Sequence, residues 1–538
     1  MDTIFYNGII RTQDNAYPTC SAVAVKNGVI MRLGGDEEIL PLALPETKRI
    51  DLAGRLMLPG FIDAHLHLLN YIEFLEQVNL SEARSLRQVR ELCAAKVAQA
   101  AEKGRWLGGV SFNQDHWDVP KMPTRKDLDE ISRDVPIVIR RACFNMSVVN
   151  TKGMEMLGIM GEREGLTSML LGFYDDGTPN GIIRQHSQDV LAKAVTIPGP
   201  EELKEMILKA CADMAKQGIT SVHSEDYINY AVDSSELISR VYKELAAEGN
   251  LPLRVYQQCA FRTKEQLEAF LATENKPGAE FGRYKIGPLK VFEDGALGAR
   301  TACLKDGYQN DPGKKGILIH PKEELYGLFV TAHKNGMQIA THCIGDEALE
   351  VTMDTYERVM NEYPRVDPRH GIIHCQLMTR ELQERFRQLN IVGYVQPVFI
   401  ESDMNIVDDC AGSELAKQSY NWRAFIDMGV HICGSSDCPV EAFDILPNIC
   451  YCVTRAKKDG SKTWYPENGI TVDEAVRMFT LEGAYASFEE SVKGSITVGK
   501  LADLVVIDKD IYTLKPEEIQ HAQVEMTVVD GQVIYEKQ

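Results

Sequence analysis

Through the middle of the chain, short apolar runs typical of buried strands alternate with helical stretches. Such alternation is the pattern of βα units that build a parallel sheet. The runs number eight, which is the number of strands in a (β/α)8 barrel. They are Phe61–His67, Ile219–His223, Leu253–Cys259, Gly287–Phe292, Gln338–His342, Gly371–His374, Val392–Pro397 and His431–Asp437. We therefore predict an α/β fold containing a TIM-like (β/α)8 barrel.

Both ends of the chain predict short strands of a different kind. The runs Ile4–Ile10 and Ala22–Met31 contain Asn-Gly, a dipeptide that tolerates positive φ and favours tight hairpins. Leu501–Ile507 and Thr527–Tyr535 repeat this style near the other end. We expect a small β-sandwich domain formed by residues 1–57 and 490–538, and a barrel domain covering 58–489.

The stretch between the first and second predicted strands is far longer than a normal βα connection. We place an inserted subdomain there, at roughly 70–205, directly after barrel strand one. Its aromatic residues more often form a core than a substrate cage, although they also hint at a small, partly apolar substrate enclosed from water. They are Trp106, Phe112, Trp117, Phe144, Phe173 and Tyr174.

Composition narrows the class of protein. A chain of 538 residues is too long for one ordinary core, so two or more domains are expected. A net charge of −20 argues against binding nucleic acid or an anionic membrane surface. We find no signal-peptide pattern and no apolar run long enough to span a bilayer. The 13 cysteines lack dense regular spacing and predict reduced thiols in a cytoplasmic protein.

The chemistry begins in Leu58-Pro-Gly-Phe-Ile-Asp-Ala-His-Leu-His-Leu68. Residues two apart on a strand point to the same side, so His65 and His67 share a face. Two buried imidazoles need polar partners that an apolar core does not supply. A divalent metal ion meets that need, because neutral imidazole is its commonest nitrogen ligand.

Further polar residues occur near the ends of later predicted strands, where barrel enzymes place their active sites. One residue of this kind would mean little, but an ordered set indicates a site. The set is Lys290, His342, His374 and Asp437. For Lys290 an alternative remains open, in which the lysine pairs with Glu293 or Asp294.

The order His-x-His, Lys, His, His, Asp resembles that of the binuclear amidohydrolases. More narrowly, the chain resembles the subfamily of YtcJ-type hydrolases and N-substituted formamide deformylases, over essentially its whole length. The strings that carry this resemblance are Leu58–His67, Lys290–Ala302, Thr341–Asp346, Gly434–Val440 and Gly494–Asp508. Lys290–Ala302 is the most specific of them, whereas the last mainly marks the small β-domain of the superfamily.

The resemblance implies two divalent metal ions, expected to be zinc, bridged by a carboxylated Lys290. His65, His67 and Asp437 would hold one metal, and His342 and His374 the other. A bridging water would then become hydroxide near neutral pH and attack a carbonyl carbon, since a single catalytic zinc already lowers the pKa of water to about 7. Asp437 would be the catalytic residue that takes the proton and passes it to the departing nitrogen.

Substrate contacts are predicted at Asn145, His223 and Arg300. His223 ends the second predicted strand, and Arg300 would either orient a substrate carboxylate or pair with local acids. The chain departs from the subfamily where histidine often stands in place of Asn145, and where Arg-Ile-Glu-His is replaced by Gly371-Ile-Ile-His374. Neither departure removes a metal ligand, but both weaken any transfer of substrate identity, so formamides should not be assumed.

The sequence therefore predicts a metal-dependent hydrolase that cleaves a C–N bond of a small amide-type molecule. One alternative is a deaminase of a cyclic amidine or aminated heterocycle, although such enzymes usually use one metal and no carboxylated lysine. Another is a non-catalytic scaffold, which would be expected to have lost ligands. The expected partner is a small-molecule substrate, with no nucleic acid and no membrane. The oligomeric state stays open, with a homodimer suggested by the relatives.

Overall fold

The computed structural model describes residues 1–142, 146–160, 171–184, 197–228 and 233–538. Two compact units are present. The first comprises Met1–Leu68, Lys204–Tyr227 and Ser235–Gln538, and the second comprises Leu69–Leu203 and Ile228–Ser234. Within the described residues, no helix has the length and apolar character needed to cross a bilayer.

The strands of the described residues are numbered β1–β25 in chain order. They are β1 Thr3–Tyr6, β2 Ile9–Arg11, β3 Thr19–Cys20, β4 Ala22–Lys26, β5 Val29–Gly34, β6 Lys48–Asp51, β7 Leu56–Pro59, β8 Phe61–Leu66, β9 Val78–Asn79, β10 Leu107–Phe112, β11 Ile137–Arg141, β12 Met146–Val149, β13 Leu171–Phe173, β14 Pro179–Arg184, β15 Ile219–Ser224, β16 Arg254–Ala260, β17 Glu280–Phe281, β18 Tyr284–Phe292, β19 Ile339–Cys343, β20 Gly371–His374, β21 Val392–Val395, β22 Ile432–Gly434, β23 Leu504–Ile507, β24 Val524–Val529 and β25 Gln532–Glu536.

The α-helices are numbered in the same way. They are α1 Asp36–Ile39, α2 Leu68–Glu76, α3 Leu86–Ala94, α4 Val97–Glu102, α5 Arg125–Asp129, α6 Thr151–Leu157, α7 Pro200–Ala215, α8 Ser235–Ala247, α9 Lys264–Leu271, α10 Lys322–Lys334, α11 Asp346–Glu362, α12 Arg380–Gln388, α13 Ile400–Asp403, α14 Val407–Ala411, α15 Ser413–Gln418, α16 Trp422–Asp427, α17 Ile445–Thr454, α18 Val472–Met478 and α19 Leu481–Ala486.

The first unit contains a parallel sheet of eight strands in the order β22-β21-β20-β19-β18-β16-β15-β8, with β17 attached to β18. All eight strands predicted from the apolar runs are present, each shifted by at most a few residues. The two outer strands meet beyond β22, where Asp437 N donates to His65 O at 2.8 Å and Ser436 N donates to Asp63 Oδ1 at 3.1 Å. The sheet is therefore a nearly closed TIM-like barrel, and the carboxyl ends of its strands lie at one rim.

Two further sheets in the first unit come from the ends of the chain. One has the order β5-β4-β1-β6, and the other the order β25-β24-β23-β7-β2-β3. They share a cluster of buried apolar side chains that includes Phe5, Val25, Leu504 and Val528. In the second sheet, β23 pairs antiparallel with β7, the strand that runs directly into the first barrel strand. Strands from the start and the end of the chain are therefore hydrogen-bonded to each other next to the barrel.

The second unit is built on a six-stranded sheet in the order β13-β14-β12-β11-β10-β9. Its core contains Phe112 and Trp117, which are 0% and 5% exposed, together with apolar residues of α3 and β11. The interpretation of these two aromatic residues as core is confirmed. Phe144 lies outside the described residues.

Candidate metal centre

Three of the predicted ligands come together where the first and last barrel strands meet. The Nε2 atoms of His65 and His67 lie 3.3 and 3.2 Å from the same atom, Asp437 Oδ1. One nitrogen or oxygen atom from each of the three residues lies within 4.8 Å of the others. This spacing allows a single cation to contact all three side chains.

The other three predicted ligands lie next to this group. Lys290 Nζ is 3.3 Å from His65 Nε2. The rings of His342 and His374 are 4.4 Å apart, centre to centre, and the rings of His65 and His374 are 6.0 Å apart. Side chains from strands one, four, five, six and eight of the barrel therefore meet at one rim.

All four imidazoles are held in the same way, through Nδ1. His65 Nδ1 donates to Gln258 Oε1 at 2.6 Å, and His374 Nδ1 donates to Gln396 Oε1 at 2.8 Å. The orientation of both glutamine amides is set at their other end, where Nε2 donates to a backbone carbonyl, of Ala64 at 3.1 Å and of Tyr394 at 3.2 Å.

The remaining two histidines donate from Nδ1 to oxygen atoms that carry no hydrogen. His67 Nδ1 donates to the backbone oxygen of Glu225 at 2.9 Å, and His342 Nδ1 donates to Asp294 Oδ1 at 3.1 Å. A proton on Nδ1 leaves the lone pair of Nε2 free. Metal-ligating histidines almost always use one nitrogen in this manner and bind the metal through the other. The arrangement fits four metal ligands.

Asp294 organises the loop around His342. Its carboxylate accepts hydrogen bonds from the backbone N–H groups of Ile344 at 3.0 Å, Gly345 at 2.8 Å and Cys303 at 3.0 Å, in addition to the imidazole. Four donors on one carboxylate hold it rigidly.

The ion-pair partners of Glu293 and Asp294 bear on the alternative in which Lys290 pairs with one of these two carboxylates. Glu293 Oε2 pairs with His320 Nδ1 at 3.0 Å, while Asp294 is bonded to His342. Lys290 is 1% exposed, and in the described parts of the chain no carboxylate forms an ion pair with it. Burial lowers the pKa of its amine to about 8. The structure therefore does not support a simple lysine–carboxylate pair.

The other predicted ligands differ in their ionisation states. Burial disfavours the charged imidazolium of His67, but hydrogen bonds to Asp437 and Glu225 outweigh it and raise the pKa of His67 to about 10. Burial and the nearby Lys290 lower the pKa of His65 to about 3, which keeps this imidazole neutral. Burial also disfavours ionisation of Asp437, but hydrogen bonds to His65 and His67 outweigh it and hold the carboxyl pKa well below its usual range. A neutral imidazole and an ionised carboxylate are the forms that bind divalent cations.

Comparison with known proteins decides the family. The model of the amidohydrolase family matches residues 48–535. The chain belongs to the amidohydrolase family. It is therefore a hydrolase that acts on carbon–nitrogen bonds other than peptide bonds.

Individual relatives place this amidohydrolase among the YtcJ-like members. It is 32% identical to the amidohydrolase YtcJ of Bacillus subtilis, over 100% of both chains. It is 25% identical to the N-substituted formamide deformylase of Arthrobacter pascens, over 100% of this chain and 98% of the relative. An uncharacterized metal-dependent hydrolase from Pyrococcus horikoshii superposes with a TM-score of 0.81 at 27% identity, covering 96% of this chain and 99% of the other.

The residues predicted to contact substrate lie in different surroundings. Arg300 hydrogen-bonds to Asn310 and lies 3.9 Å from Asp311, which is the local pairing considered as one alternative. His223 is fully buried in the amidohydrolase, with its ring 5.0 Å from that of Tyr256. Among the described residues, neither of its ring nitrogens has a hydrogen-bond partner. Asn145 lies outside the described residues.

The sequence reasoning missed the part that four residues play around the predicted metal ligands: Gln258, Gln396, Glu225 and Asp294. Gln258 lies near the end of barrel strand three, and Gln396 follows the end of strand seven. Those two strands contribute none of the predicted ligands. A search for polar residues at every strand end, rather than for metal-binding types alone, would have found both glutamines.

Proposed function

We propose that this amidohydrolase is a two-metal enzyme that hydrolyses an amide-type C–N bond of a small molecule. The observation that carries the proposal is the common orientation of four imidazoles, each with Nδ1 hydrogen-bonded to an oxygen atom, which leaves Nε2 as the nitrogen available to a metal ion. Nitrogen and carboxylate ligands of this kind favour zinc over harder cations. Such a pair of ions would supply Lewis acidity, polarising a carbonyl group and lowering the pKa of water towards neutrality.

The role we assign to Lys290 follows from its surroundings. A lysine with a lowered pKa is partly present as the free amine, which reacts with carbon dioxide to form a carbamate and release one proton. Carboxylation replaces a buried cation by an anion with two oxygen ligands. It removes the cost of burying an unpaired ammonium group among imidazoles.

Asp437 is the residue that we propose moves the proton. Its Oδ1 atom is held between His65 and His67, and its carboxylate is ionised and able to accept. It would take a proton from the attacking water and deliver it to the nitrogen as the C–N bond breaks. The products are then a carboxylate and an amine, so that one water is consumed for each bond cleaved.

The substrate class that we propose is broader than the one in the name of the formamide deformylase. The relative from Arthrobacter pascens is named as a deformylase of N-substituted formamides, which supports amide-type chemistry in general. The departure at Ile373, where the subfamily often has glutamate, argues against adopting its substrate.

Metal analysis combined with a substrate screen tests the proposal. We expect about two zinc ions per chain in zinc-loaded protein, and turnover of at least one class among N-acyl amines, N-formyl amines, cyclic amides and carbamates. Lys290→Ala should lower both the metal content and the turnover, and a short-chain carboxylic acid should partly restore them. After incubation with 13C-labelled bicarbonate, the wild type should show a carbamate resonance that the variant lacks.

Lys305→Ala is the matched control, because Lys305 follows the same strand but is exposed and pairs with Glu350. It should leave metal content and turnover unchanged. One metal per chain, with ammonia released from a cyclic amidine, would instead show that the enzyme is a deaminase. Full activity of Lys290→Ala would contradict the role given to the lysine.

A further inference from the structure

Two carboxyl groups that the proposed mechanism does not use lie on the same rim as the metal ligands. Asp403 ends α13, which directly follows Phe399, and the Phe399 ring stacks on His374 at 5.8 Å. Glu441 follows the ligand Asp437 by four residues. We refer to Asp403 and Glu441 as the rim carboxylates.

The rim carboxylates have donors on one side only. Asp403 Oδ2 accepts hydrogen bonds from the hydroxyl of Tyr420 at 2.6 Å and from Gln376 Nε2 at 3.3 Å. Glu441 Oε1 accepts one from the hydroxyl of Ser402 at 3.4 Å. All of these donors are neutral, and within the part of the chain that the structure describes no donor reaches the second oxygen of either carboxyl group.

No cationic side chain of the described residues balances the rim carboxylates. Across the described ranges, no lysine, arginine or histidine forms an ion pair with either of them. Burial raises the pKa of Asp403 to about 6. Burial, together with the nearby Asp403, raises the pKa of Glu441 to about 7. Two partly buried carboxyl groups without a counter-ion are unfavourable by themselves, since each disfavours ionisation of the other.

Gln376 provides an independent sign of a ligand at this place. It lies two residues after the ligand His374 and is 2% exposed, and its amide is directed at Asp403. Its Oε1 atom has no hydrogen-bond partner among the described residues. A buried carbonyl oxygen that accepts no hydrogen bond costs free energy. A ligand whose N–H group donates to Gln376 Oε1 would remove this cost.

The group that matches these acceptors carries several N–H donors and a positive charge. A protonated amine has three such donors, and a guanidinium group has five. Charge-assisted hydrogen bonds to carboxylates are about twice as strong as neutral ones. The net charge of −20 also favours the approach of cations over anions.

Resting on the hydrolase function proposed above, we propose that the rim carboxylates bind a protonated amine or guanidinium group of the substrate. The scissile bond would lie at the metal ligands and the cationic group between Asp403 and Glu441, with Gln376 Oε1 accepting one of its N–H groups. The substrate class is then an amide that carries a cationic group in addition to the bond that is cleaved.

Binding of simple cations tests this without requiring turnover. Zinc-loaded enzyme is titrated by calorimetry with butylguanidinium and butylamine, and with butanol as the uncharged control. We expect saturable binding of the cations only. Asp403→Asn and Glu441→Gln should each weaken it by about tenfold or more, because each removes one charged partner. Glu441→Lys should abolish it.

The matched control is Asp409→Asn, which removes one exposed negative charge from the same segment of chain. It should leave cation binding unchanged. This result would distinguish a specific effect of the rim carboxylates from an effect of the net charge of the protein. A thermal unfolding measurement on every variant verifies that it is folded.

Turnover provides the second measurement. For a pair of amides that differ only in an ammonium or a methyl group, kcat/KM of the wild type should favour the ammonium form. In Asp403→Asn and Glu441→Gln this preference should fall by about tenfold, and in Asp409→Asn it should persist.

In the binding and metal measurements, two outcomes would overturn the inference. One is equal binding of butylguanidinium to wild type and to both variants, or no binding at all. The other is a third metal ion in the wild type that the variants lose, since the rim carboxylates would then be a metal site. If cations bind as expected but no amide is hydrolysed under any metal loading, the subsite stands and the proposed function fails. If amides are hydrolysed without preference for the charged form, the proposed function stands and the subsite fails.

Discussion

At the scale of single residues, the metal centre depends on side chains that do not themselves bind metal. Each imidazole presents Nε2 because an oxygen atom occupies Nδ1, and two of those oxygens belong to Gln258 and Gln396. Gln396 is itself fixed by Ser435, whose hydroxyl accepts from Nε2 at 2.8 Å. For His65 and His374, the proton on Nδ1 and the angle of the ring are therefore set by neutral amides, whereas the carboxylate of Asp294 holds His342 and a backbone carbonyl holds His67.

Gln258→Leu tests this dependence. The substitution removes the acceptor of His65 Nδ1, so the ring loses both its preferred tautomer and its orientation. We expect zinc affinity, measured by competition with a chelator, to fall by about 10- to 100-fold. Gln383→Leu is the control, because it removes a buried glutamine that donates to Gln418 O at 2.7 Å on another element. It should lower thermal stability without changing zinc affinity, and an equal loss of affinity in both variants would contradict the argument.

At the scale of elements, the connection from β19 to α11 illustrates how a short turn positions a ligand. β19 ends with His342 and Cys343, and α11 begins at Asp346. In the turn between them, the backbone N–H groups of Ile344 and Gly345 donate hydrogen bonds to the carboxylate of Asp294. Gly345 lies against the backbone of Cys303, where an added Cβ would be 2.0 Å from the carbonyl oxygen. Only glycine allows this approach.

Gly345→Ala should therefore displace the turn and disturb the contact between Asp294 and His342. We expect a lower zinc content at limiting zinc and a lower melting temperature, since backbone atoms cannot move aside as a flexible side chain does. Gly327→Ala is the matched control, because Gly327 lies within α10 and an added Cβ meets no atom within 4 Å. It should keep its zinc and gain up to about 1 kcal/mol of stability. Normal zinc content in Gly345→Ala would show that the turn tolerates the change.

At the scale of the whole molecule, an ion-pair network joins the barrel to strands at the end of the chain. Arg254, the first residue of β16, donates to Asp503 through Nε at 2.7 Å and also hydrogen-bonds to Asp530. Arg283 donates to Asp530 through Nη2 at 2.8 Å. Asp503 immediately precedes β23, and Asp530 immediately follows β24. Residues about 250 positions apart are thereby paired within the first unit.

Arg254→Met should destabilise the protein by about 3–5 kcal/mol, because it leaves the buried carboxylate of Asp503 without its cationic partner. Thermal or denaturant unfolding measures the change. Arg240→Met is the control, since Arg240 is more than half exposed and lies 3.9 Å from its ion-pair partner Glu244. This control should change stability by less than about 1 kcal/mol. Similar losses in both variants would contradict the importance of the buried network.

Much of the fold and the set of candidate metal ligands could be predicted from particular residues. The eight apolar runs are buried on both faces by barrel and helices, so their sequences are continuously hydrophobic and easily recognised. His65, Lys290 and Asp437 interrupt such runs with groups that are costly to bury. That contrast made them visible. Gln258 and Gln396 are neutral and are common in many surroundings, so they carried no comparable signal.

What the sequence determined by itself was the number and order of the barrel strands and the identity of six polar side chains near their ends. Those properties follow from hydrophobic periodicity and from the cost of burying imidazole, ammonium and carboxylate groups, both of which are local. Only the tertiary structure decided which nitrogen of each histidine is free, that Arg300 pairs with its neighbours, and that Asp403, Gln376 and Glu441 lie together. These depend on distances between residues far apart in the chain, and such distances are set by the closure of the barrel rather than by any one segment.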